Sequence, residues 1–333
     1  MAKRAVLLLA HGTPETVEQI PEYLRNVVSG RPLPQAVIEE IQHRYALIGR
    51  SPLTEITMQQ ARLVEAELAE AELAAQGLTV PVYVGMRNWR PYIPDVVRQM
   101  RADGVDAAAV ICLAPQNSRT SVGLYRRAVE AEAESLRIDF TEGWARHPLL
   151  AQAFAERLRP VLAKLSGEAG APVPVLFTAH SVPCRTIQTP AASEGQARLW
   201  PGQQADPYAE DAKRTAALVA ALVPEIPRYY FAFQSQGASG GPPGSSTSWI
   251  GPTIEQTLDA LAAEGVKNLI LQPIGFLCDH VEILYDVDIL FRDYARKLGM
   301  RLERPESLNA SVLLARALAD LARQGLERLR LSD

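Results

Sequence analysis

The stretch Leu271–Asp288 has the sequence LQPIGFLCDHVEILYDVD. It continues an apolar run that begins at Asn268 and ends at Gly275, and this pattern predicts a buried strand that leads into a turn. A helix is expected next, with Asp279 at its N-cap and Glu282 three residues later, as in a capping box.

Three carboxylates, on Asp279, Glu282 and Asp286, share one face of this predicted helix. Like charges four residues apart cost an isolated helix about 0.2–0.5 kcal/mol, so a positive group should offset them, and a metal ion is one candidate. His280 lies about 100° further round the helix, where it is better placed to orient ligands than to bind a metal beside them. The helix is therefore a candidate metal site.

Two motifs of the chain resemble signatures of one enzyme family. Residues 273–288, PIGFLCDHVEILYDVD, resemble the pattern Pro-x-x-Phe-x-x-Asp-His-x-Glu-x-x-Tyr-Glu/Asp-x-Asp of ferrochelatases, which insert ferrous iron into a porphyrin in haem biosynthesis. Thr178–Pro183, TAHSVP, resembles the family's second signature, Ser/Thr-Ala-His-Ser-Leu/Val-Pro. The two motifs stand in the family's order, and the resemblance extends over nearly the whole chain.

Length and strand spacing independently predict two domains. The 333 residues exceed the roughly 100–200 residues of a usual single domain. Apolar strands alternate with helices in the first half, which predicts a doubly wound parallel sheet. These strands are Arg4–Ala10, Val80–Gly85, Ala107–Leu113 and Ile138–Glu142. A second round starts at Val173, after the segment Ser166–Pro172, which is predicted to be a linker.

The resemblance implies an α/β fold of two flavodoxin-like (Rossmann-like) domains, each a four-stranded parallel sheet flanked by helices, with a porphyrin cleft between them. The expected limits are residues 1–150 for the N-terminal domain and 151–305 for the C-terminal domain, which carries the metal-site residues. A C-terminal helix within residues 306–333 is expected to dock on the N-terminal domain. Polar or Gly-rich loops are expected at Gln188–Ala205, beside the cleft, and at Ala238–Ser248.

The resemblance also implies roles for residues of the two signatures. His180 is expected to accept pyrrole protons and bind the metal, Glu282 to be its partner across the cleft, and Asp286 to relay iron from outside. Imidazole suits proton removal because its unperturbed pKa of about 6.5 lies near neutral pH, and carboxylates hold iron without trapping it. Which of His180 and Glu282 takes the protons stays open. Leu290 stands where relatives continue the acidic series, which leaves an outer metal site open as well.

Six further residues are implied to bind the porphyrin: His11, Arg44, Tyr45, Ser51, Tyr125 and Trp249. His11 follows the first predicted strand, at the edge where parallel sheets bind ligands. It either hydrogen-bonds within its turn or lies beside the product iron as an axial neighbour. The segment around Gly49 is one residue shorter than the family's pattern, which displaces the residues on either side of it. The choice between protoporphyrin IX and coproporphyrin III therefore stays open.

Composition argues against several other classes of protein. The net charge of −4 at pH 7 provides no basic surface for nucleic acid. No apolar stretch reaches the roughly 18 residues of a transmembrane segment. The sequence contains no GxGxxG or Walker motif, so no nucleotide or other organic cofactor is expected. The remaining alternatives are a non-catalytic haem or porphyrin carrier and a chelatase for another metal and tetrapyrrole.

The cysteines Cys112, Cys184 and Cys278 are widely spaced, which predicts reduced thiols in a cytoplasmic protein. Three cysteines cannot supply the four ligands of the iron–sulfur cluster that some ferrochelatases carry, so no cluster is expected. The expected partners are the porphyrin and ferrous iron, which is a substrate, with transient contacts to neighbouring haem-pathway enzymes. The oligomeric state is not predicted.

Overall fold

The computed structural model describes residues 3–69, 80–119, 121–184, 206–235 and 249–331. The two predicted loops, Gln188–Ala205 and Ala238–Ser248, lie outside these residues. Two four-stranded sheets are formed by β1 Arg4–Ala10, β2 Val82–Met86, β3 Ala107–Cys112, β4 Arg137–Thr141, β5 Val175–His180, β6 Tyr229–Gln234, β7 Asn268–Pro273 and β8 Arg301–Glu303.

The two sheets have the same strand order. The first is β2-β1-β3-β4 and the second is β6-β5-β7-β8, and all neighbouring strands are parallel. The predicted fold class, two flavodoxin-like α/β domains, is therefore confirmed. In each sheet the winding direction changes at the first strand, and ligands of such sheets bind at the carboxyl ends beside this point. His11 directly follows β1 and His180 ends β5, so the two histidines occupy equivalent positions.

Helices flank both sheets. They are a 3-10 helix Val17–Gln19, α1 Ile20–Val27, α2 Gln35–Ile48, α3 Leu53–Ala69, α4 Ile93–Ala102, α5 Val122–Ala133, α6 Pro148–Ala169, α7 Tyr208–Leu222, α8 Ile254–Ala263, a π-helix Glu282–Phe291, α9 Arg292–Lys297 and α10 Val312–Leu331.

Helix α6 connects the two sheets. The predicted linker Ser166–Pro172 is wrong in its first half, because α6 continues to Ala169. It ends at Gly170, whose φ of 64° is the left-handed conformation that favours glycine after a helix. The domain limit at residue 150 falls in the first turn of α6, and the limit at residue 305 falls between β8 and α10. Both limits remain a proposal.

Alternate residues of β1 face two different cores. Val6 and Leu8 pack with α3, α6 and α10 between the sheets, whereas Leu7 packs with α4 and α5 on the outer face. Helix α10 contacts β3 and β4 of the first sheet as well as α6. The approach is so close at Gly325 that a Cβ there would lie 2.9 Å from the Cβ of Ala109. The last helix thus joins the end of the chain to the first sheet.

The start of β1 and the end of α10 lie at one edge of the first sheet. Arg4 is in register with Ala107 of β3, and Ala107 is in register with Arg137 of β4. The guanidinium Nη1 of Arg137 donates to the Leu329 carbonyl of α10 at 3.3 Å. This edge is opposite the one that carries His11.

Candidate active site

A cavity of about 420 Å³ lies where the carboxyl edges of the two sheets meet. Its volume is within the roughly 300–1,000 Å³ of typical small-molecule sites. Residues of both halves line it, among them His11, Tyr23, Arg87 and Tyr125 from the first and His180, Trp249, Phe276, His280 and Glu282 from the second. The two signature motifs therefore meet at one cavity.

His180 and Glu282 face each other in this cavity. His180 ends β5, and Glu282 begins the π-helix that follows β7, the neighbouring strand of the same sheet. Nε2 of His180 lies 3.7 Å from Oε2 of Glu282, and Nε2 of His280 lies 3.9 Å from the same oxygen. The expectation that Glu282 lies across the cleft from His180 is wrong, because β5 and β7 are adjacent.

Backbone carbonyls fix the tautomers of both imidazoles. Nδ1 of His180 bonds to the Ser181 carbonyl, and Nδ1 of His280 bonds to the Cys278 carbonyl at 3.0 Å. A carbonyl only accepts, so Nδ1 carries the hydrogen in each ring and Nε2 of the neutral ring carries the lone pair. Oε2 of Glu282 is inaccessible and has no hydrogen-bond partner among the described residues. Two imidazole nitrogens thus face one buried carboxylate oxygen, an arrangement that suits a shared proton.

The charge on Glu282 is favoured by its neighbours. Burial by itself raises the pKa of this carboxyl, but His180 and two further imidazoles outweigh burial and lower the pKa to about 2. At His11, burial and then the charge of Arg87 lower the pKa of the imidazole to about 4. The site therefore combines an ionised carboxylate with a neutral His11 at neutral pH.

Asp286 lies about one turn further along the π-helix and does not line the cavity. Its buried carboxylate accepts from Oγ of Ser235 at 2.6 Å, and Nη1 of Arg44 lies 3.5 Å from Oδ1. Burial raises the pKa of this carboxyl. Leu290, the next position of the series, is exposed. Asp286 is thus next to Glu282 along the helix, and Arg44 from the first half of the chain covers it.

The capping-box prediction for Asp279 is wrong. The π-helix begins without a side-chain capping bond. The Asp279 carboxylate instead accepts from Oγ of Ser307 at 2.7 Å and from Nδ2 of Asn309 at 2.9 Å. Nη1 of Arg304 lies 3.3 Å from the same carboxylate. Because these partners belong to the loop after β8, Asp279 anchors the segment before the helix and does not join Glu282 on one helix face.

Three of the six residues predicted to bind porphyrin line the cavity: His11, Tyr125 and Trp249. The ring centroid of Trp249 lies 6.3 Å from that of His180. Nε2 of His11 lies 2.9 Å from the Tyr23 hydroxyl and 3.1 Å from Nδ2 of Asn88. His11 therefore forms hydrogen bonds within the cavity wall, and its role beside the iron stays a prediction.

The other three predicted residues lie behind the wall. Arg44 pairs with Glu40 at 2.9 Å as well as with Asp286. Tyr45 is fully buried, and Oγ of Ser51 accepts from Oγ1 of Thr13, a cavity-lining residue, at 3.0 Å. Their contacts to a porphyrin stay predictions.

Sequence reasoning did not single out Arg87, which lines the cavity with its guanidinium 5.4 Å from the ring centroid of Tyr125. The available signal was its position immediately after β2, at the carboxyl edge where ligands bind. His280 was expected only to orient other ligands, yet its Nε2 faces Glu282.

In the part of the chain that the structure describes, no three or more His, Cys, Asp or Glu side chains are grouped so as to hold a metal ion.

A family model described as Ferrochelatase matches residues 3–326 of the chain. The chain belongs to the ferrochelatase family. A ferrochelatase of Acidobacterium capsulatum is 60% identical, over 99% of this chain and 97% of that protein. A coproporphyrin III ferrochelatase of Mycolicibacterium vanbaalenii is 33% identical, over 99% of this chain and 91% of that protein. Ferrochelatases insert ferrous iron into a porphyrin in haem biosynthesis, so the predicted enzyme class, a metal chelatase among the lyases, is confirmed.

Solved structures agree on the fold of this ferrochelatase family member. The sirohydrochlorin chelatase of Bacillus subtilis subspecies spizizenii, solved with cobalt, matches 98% of this chain and 96% of its own, with a TM-score of 0.54. Its sequence is 11% identical, so the likeness concerns the fold alone. None of the helices within the described residues is both long and apolar enough to cross a membrane.

Proposed function

We propose that this chain holds a porphyrin in the cavity between its sheets and inserts ferrous iron at the pair His180 and Glu282. The reaction exchanges two pyrrole protons for one Fe²⁺, so it needs a base and a weak metal site at the same place. The observation that carries the proposal is the 3.7 Å approach of an imidazole Nε2 to an ionised carboxylate on the cavity wall.

In this proposal Glu282 and Nε2 of His180 first bind the incoming iron. As the iron passes to the ring nitrogens, the freed Nε2 accepts one pyrrole proton and the Glu282 carboxylate accepts the other. Carboxylate and imidazole are suitable ligands for Fe²⁺, and two of them leave coordination positions for water and for the porphyrin nitrogens. Asp286 is the outer relay. Its contact with Arg44, at 3.5 Å, must break before iron binds there.

His11 is the axial neighbour of the product iron in the same proposal. Its position on the cavity wall and its low pKa of about 4 support this role, because a neutral imidazole is an iron ligand. Its bonds to Tyr23 and Asn88 must rearrange for Nε2 to reach the metal.

The candidate substrates are protoporphyrin IX and coproporphyrin III. Some relatives are named ferrochelatase and others coproporphyrin III ferrochelatase. The proposal includes no iron–sulfur cluster, since three cysteines cannot supply four ligands, and no organic cofactor, since the sequence has no GxGxxG or Walker motif. The proposal includes a cytoplasmic location, consistent with three widely spaced cysteines, and transient contact with neighbouring haem-pathway enzymes.

The test is metallation by the purified protein without nucleotide or organic cofactor. Protoporphyrin IX and coproporphyrin III are each supplied with Fe²⁺ without oxygen, or with Zn²⁺, and the rates are compared with a protein-free control. The expected result is metallation above the control for at least one porphyrin. Porphyrin binding without faster metallation would assign the chain to carriers instead.

His180→Ala is the matching variant. It should abolish metallation with little change in melting temperature, because a side chain at a strand tip facing a cavity contributes little to the core. His43→Ala, at an exposed position of α2, is the control and should keep full activity. Retained turnover in His180→Ala would contradict the assigned role.

A further inference from the structure

Arg87 has an unusual environment for a charged side chain. It directly follows β2, and its backbone N–H donates to the Ala10 carbonyl at 3.0 Å, which fixes it at the carboxyl edge of the first sheet. Its guanidinium lies over the ring of Tyr125, on the cavity wall.

The guanidinium of Arg87 has no ion-pair partner and no side-chain hydrogen bond with any described residue, and its Nη1 is inaccessible to solvent. Other arginines near the site are paired: Arg44 with Glu40 and Asp286, and Arg304 with Asp288. A half-buried cation without a partner is unfavourable, because the low-dielectric surroundings do not replace the hydration that it loses. A bound anion would supply the missing partner.

The charges of the cavity are divided between two residues. Among the described residues that line it, Arg87 is the only arginine or lysine and Glu282 the only aspartate or glutamate. A ligand that matches both charges has an anionic group beside Arg87. Beside Glu282 it has a group that can bind a cation. A porphyrin that carries propionate side chains has both, since its ring binds the metal and its carboxylates are anionic.

We propose that Arg87 binds a carboxylate of the porphyrin and so determines how the ring is oriented over His180 and Glu282. The inference rests on the proposed function and names a specificity-determining residue for it. The adjacent Tyr125 supports the assignment, because burial raises the pKa of its phenol and keeps it protonated as a second hydrogen-bond donor. Arg44 is unsuited to this task as long as it pairs with Asp286.

The experiment measures binding of metal-free deuteroporphyrin IX and of its dimethyl ester by quenching of fluorescence. The two probes share one ring and differ in their carboxylates. Arg87→Met should weaken binding of the acid about tenfold or more, as expected for loss of a charge-assisted bidentate contact, and leave binding of the ester within about twofold. Arg87→Lys should fall between wild type and Arg87→Met for the acid.

Arg90→Met is the matched control. Arg90 lies three residues after Arg87, and its exposed side chain pairs with Glu22, so the variant removes the same charge outside the cavity. It should change neither affinity. Equal weakening of acid and ester by Arg87→Met would show a packing role and overturn the inference, and so would unchanged binding of the acid.

Wild type alone provides a second test if Arg87→Met does not fold. The acid should bind about tenfold more tightly than the ester, and equal affinities would overturn the inference. The proposed function is tested separately from this inference. If wild type binds the porphyrins but does not metallate them, the proposed function is wrong, while the comparison of acid and ester still tests the role of Arg87.

Discussion

Glu282 and Asp286 are neighbouring carboxylates whose surroundings shift their pKa values in opposite directions. At Glu282 burial raises the pKa of the carboxyl, but the neighbouring imidazoles have a larger effect and lower it to about 2. At Asp286 burial has the largest effect and raises the pKa. Glu282 is therefore the stronger candidate for direct contact with iron.

Glu282→Gln should lower the maximal metallation rate about 100-fold or more, because it keeps the size of the side chain and removes the charge that faces His180. Asp286→Asn should chiefly raise the metal concentration needed for half-maximal rate. Metal-dependent kinetics on both variants check this order. Glu264→Gln, on a surface ion pair with Arg228, is the control and should behave as wild type. A more damaging Asp286→Asn would reverse the assignment.

The free energy of unfolding should depend on His11 between about pH 6.5 and about pH 4. The pKa of this imidazole is about 4 in the folded protein and near 6.5 without the fold, so the unfolded chain binds the proton first as pH falls. Stability should therefore be complete above this window and decrease through it, by up to about 3 kcal/mol from this residue. Urea unfolding across the window should show a smaller decrease for His11→Gln than for wild type. Equal decreases would contradict the assignment.

The π-helix Glu282–Phe291 is positioned by a segment that is anchored before the helix starts. Asp279 bonds Ser307 and Asn309, and the Asn309 carbonyl in turn accepts from Nε2 of Gln60 in α3 at 2.8 Å. The start of the helix is thus connected to the first half of the chain. A π-helix at this position agrees with the frequent occurrence of such wide turns at functional sites.

Asp279→Ala should destabilise the protein by about 2–3 kcal/mol, because it leaves two donors and the charge of Arg304 without this acceptor. It should also slow metallation, since the carboxylate fixes the segment that carries Glu282. Ser307→Ala removes one donor and should cost about 1 kcal/mol with less effect on rate. Urea unfolding and metallation rates measure both. Wild-type kinetics in Asp279→Ala would show that the anchor does not position the site.

Elements that depend on local pattern could be predicted from the sequence, and contacts between distant segments could not. β1 has the predicted limits Arg4–Ala10, because an uninterrupted apolar run defines a buried strand. The two signature motifs identified His180 and Glu282, which the structure brings together. The partners of Asp279 come from a loop 28 to 30 residues later, so its local sequence resembled a helix cap.

The same limit applies to Arg44, whose family position suggested a porphyrin contact. Its pairing with Asp286, 242 residues later, depends on how the two halves pack. Arg87 was missed for a related reason, because only the folded chain shows that none of the described acidic residues pairs with it.

At the scale of the whole molecule, the cavity depends on two sheets held at a fixed spacing by α6 and α10, which share the core between them. At Gly325 the helix α10 approaches the first sheet closely, since a Cβ there would lie 2.9 Å from both Cβ of Ala109 and Oδ1 of Asp139. The helix can approach β3 and β4 this closely only because position 325 has no side chain.

Gly325→Ala should therefore destabilise the protein by about 1–3 kcal/mol through overpacking. Gly167→Ala, in α6, is the matched control, because nothing lies within 4 Å of its Cβ position. It should leave stability unchanged or raise it by about 0.4–1 kcal/mol. Urea unfolding of the two variants measures the difference. Equal stability would show that α10 shifts without cost.

The shared edge of β1 and α10 has a practical consequence for handling the protein. Two strand spacings, roughly 10 Å, separate the rows of β1 and β4 beside which the described chain starts and stops. A fluorescent fusion or a surface tether attached beside the start of β1 or the end of α10 is at the edge of the first sheet opposite His11. About 10 Å is the span of roughly three extended residues, so a short linker from the end of α10 to the start of β1 is the natural design for a circularly permuted variant.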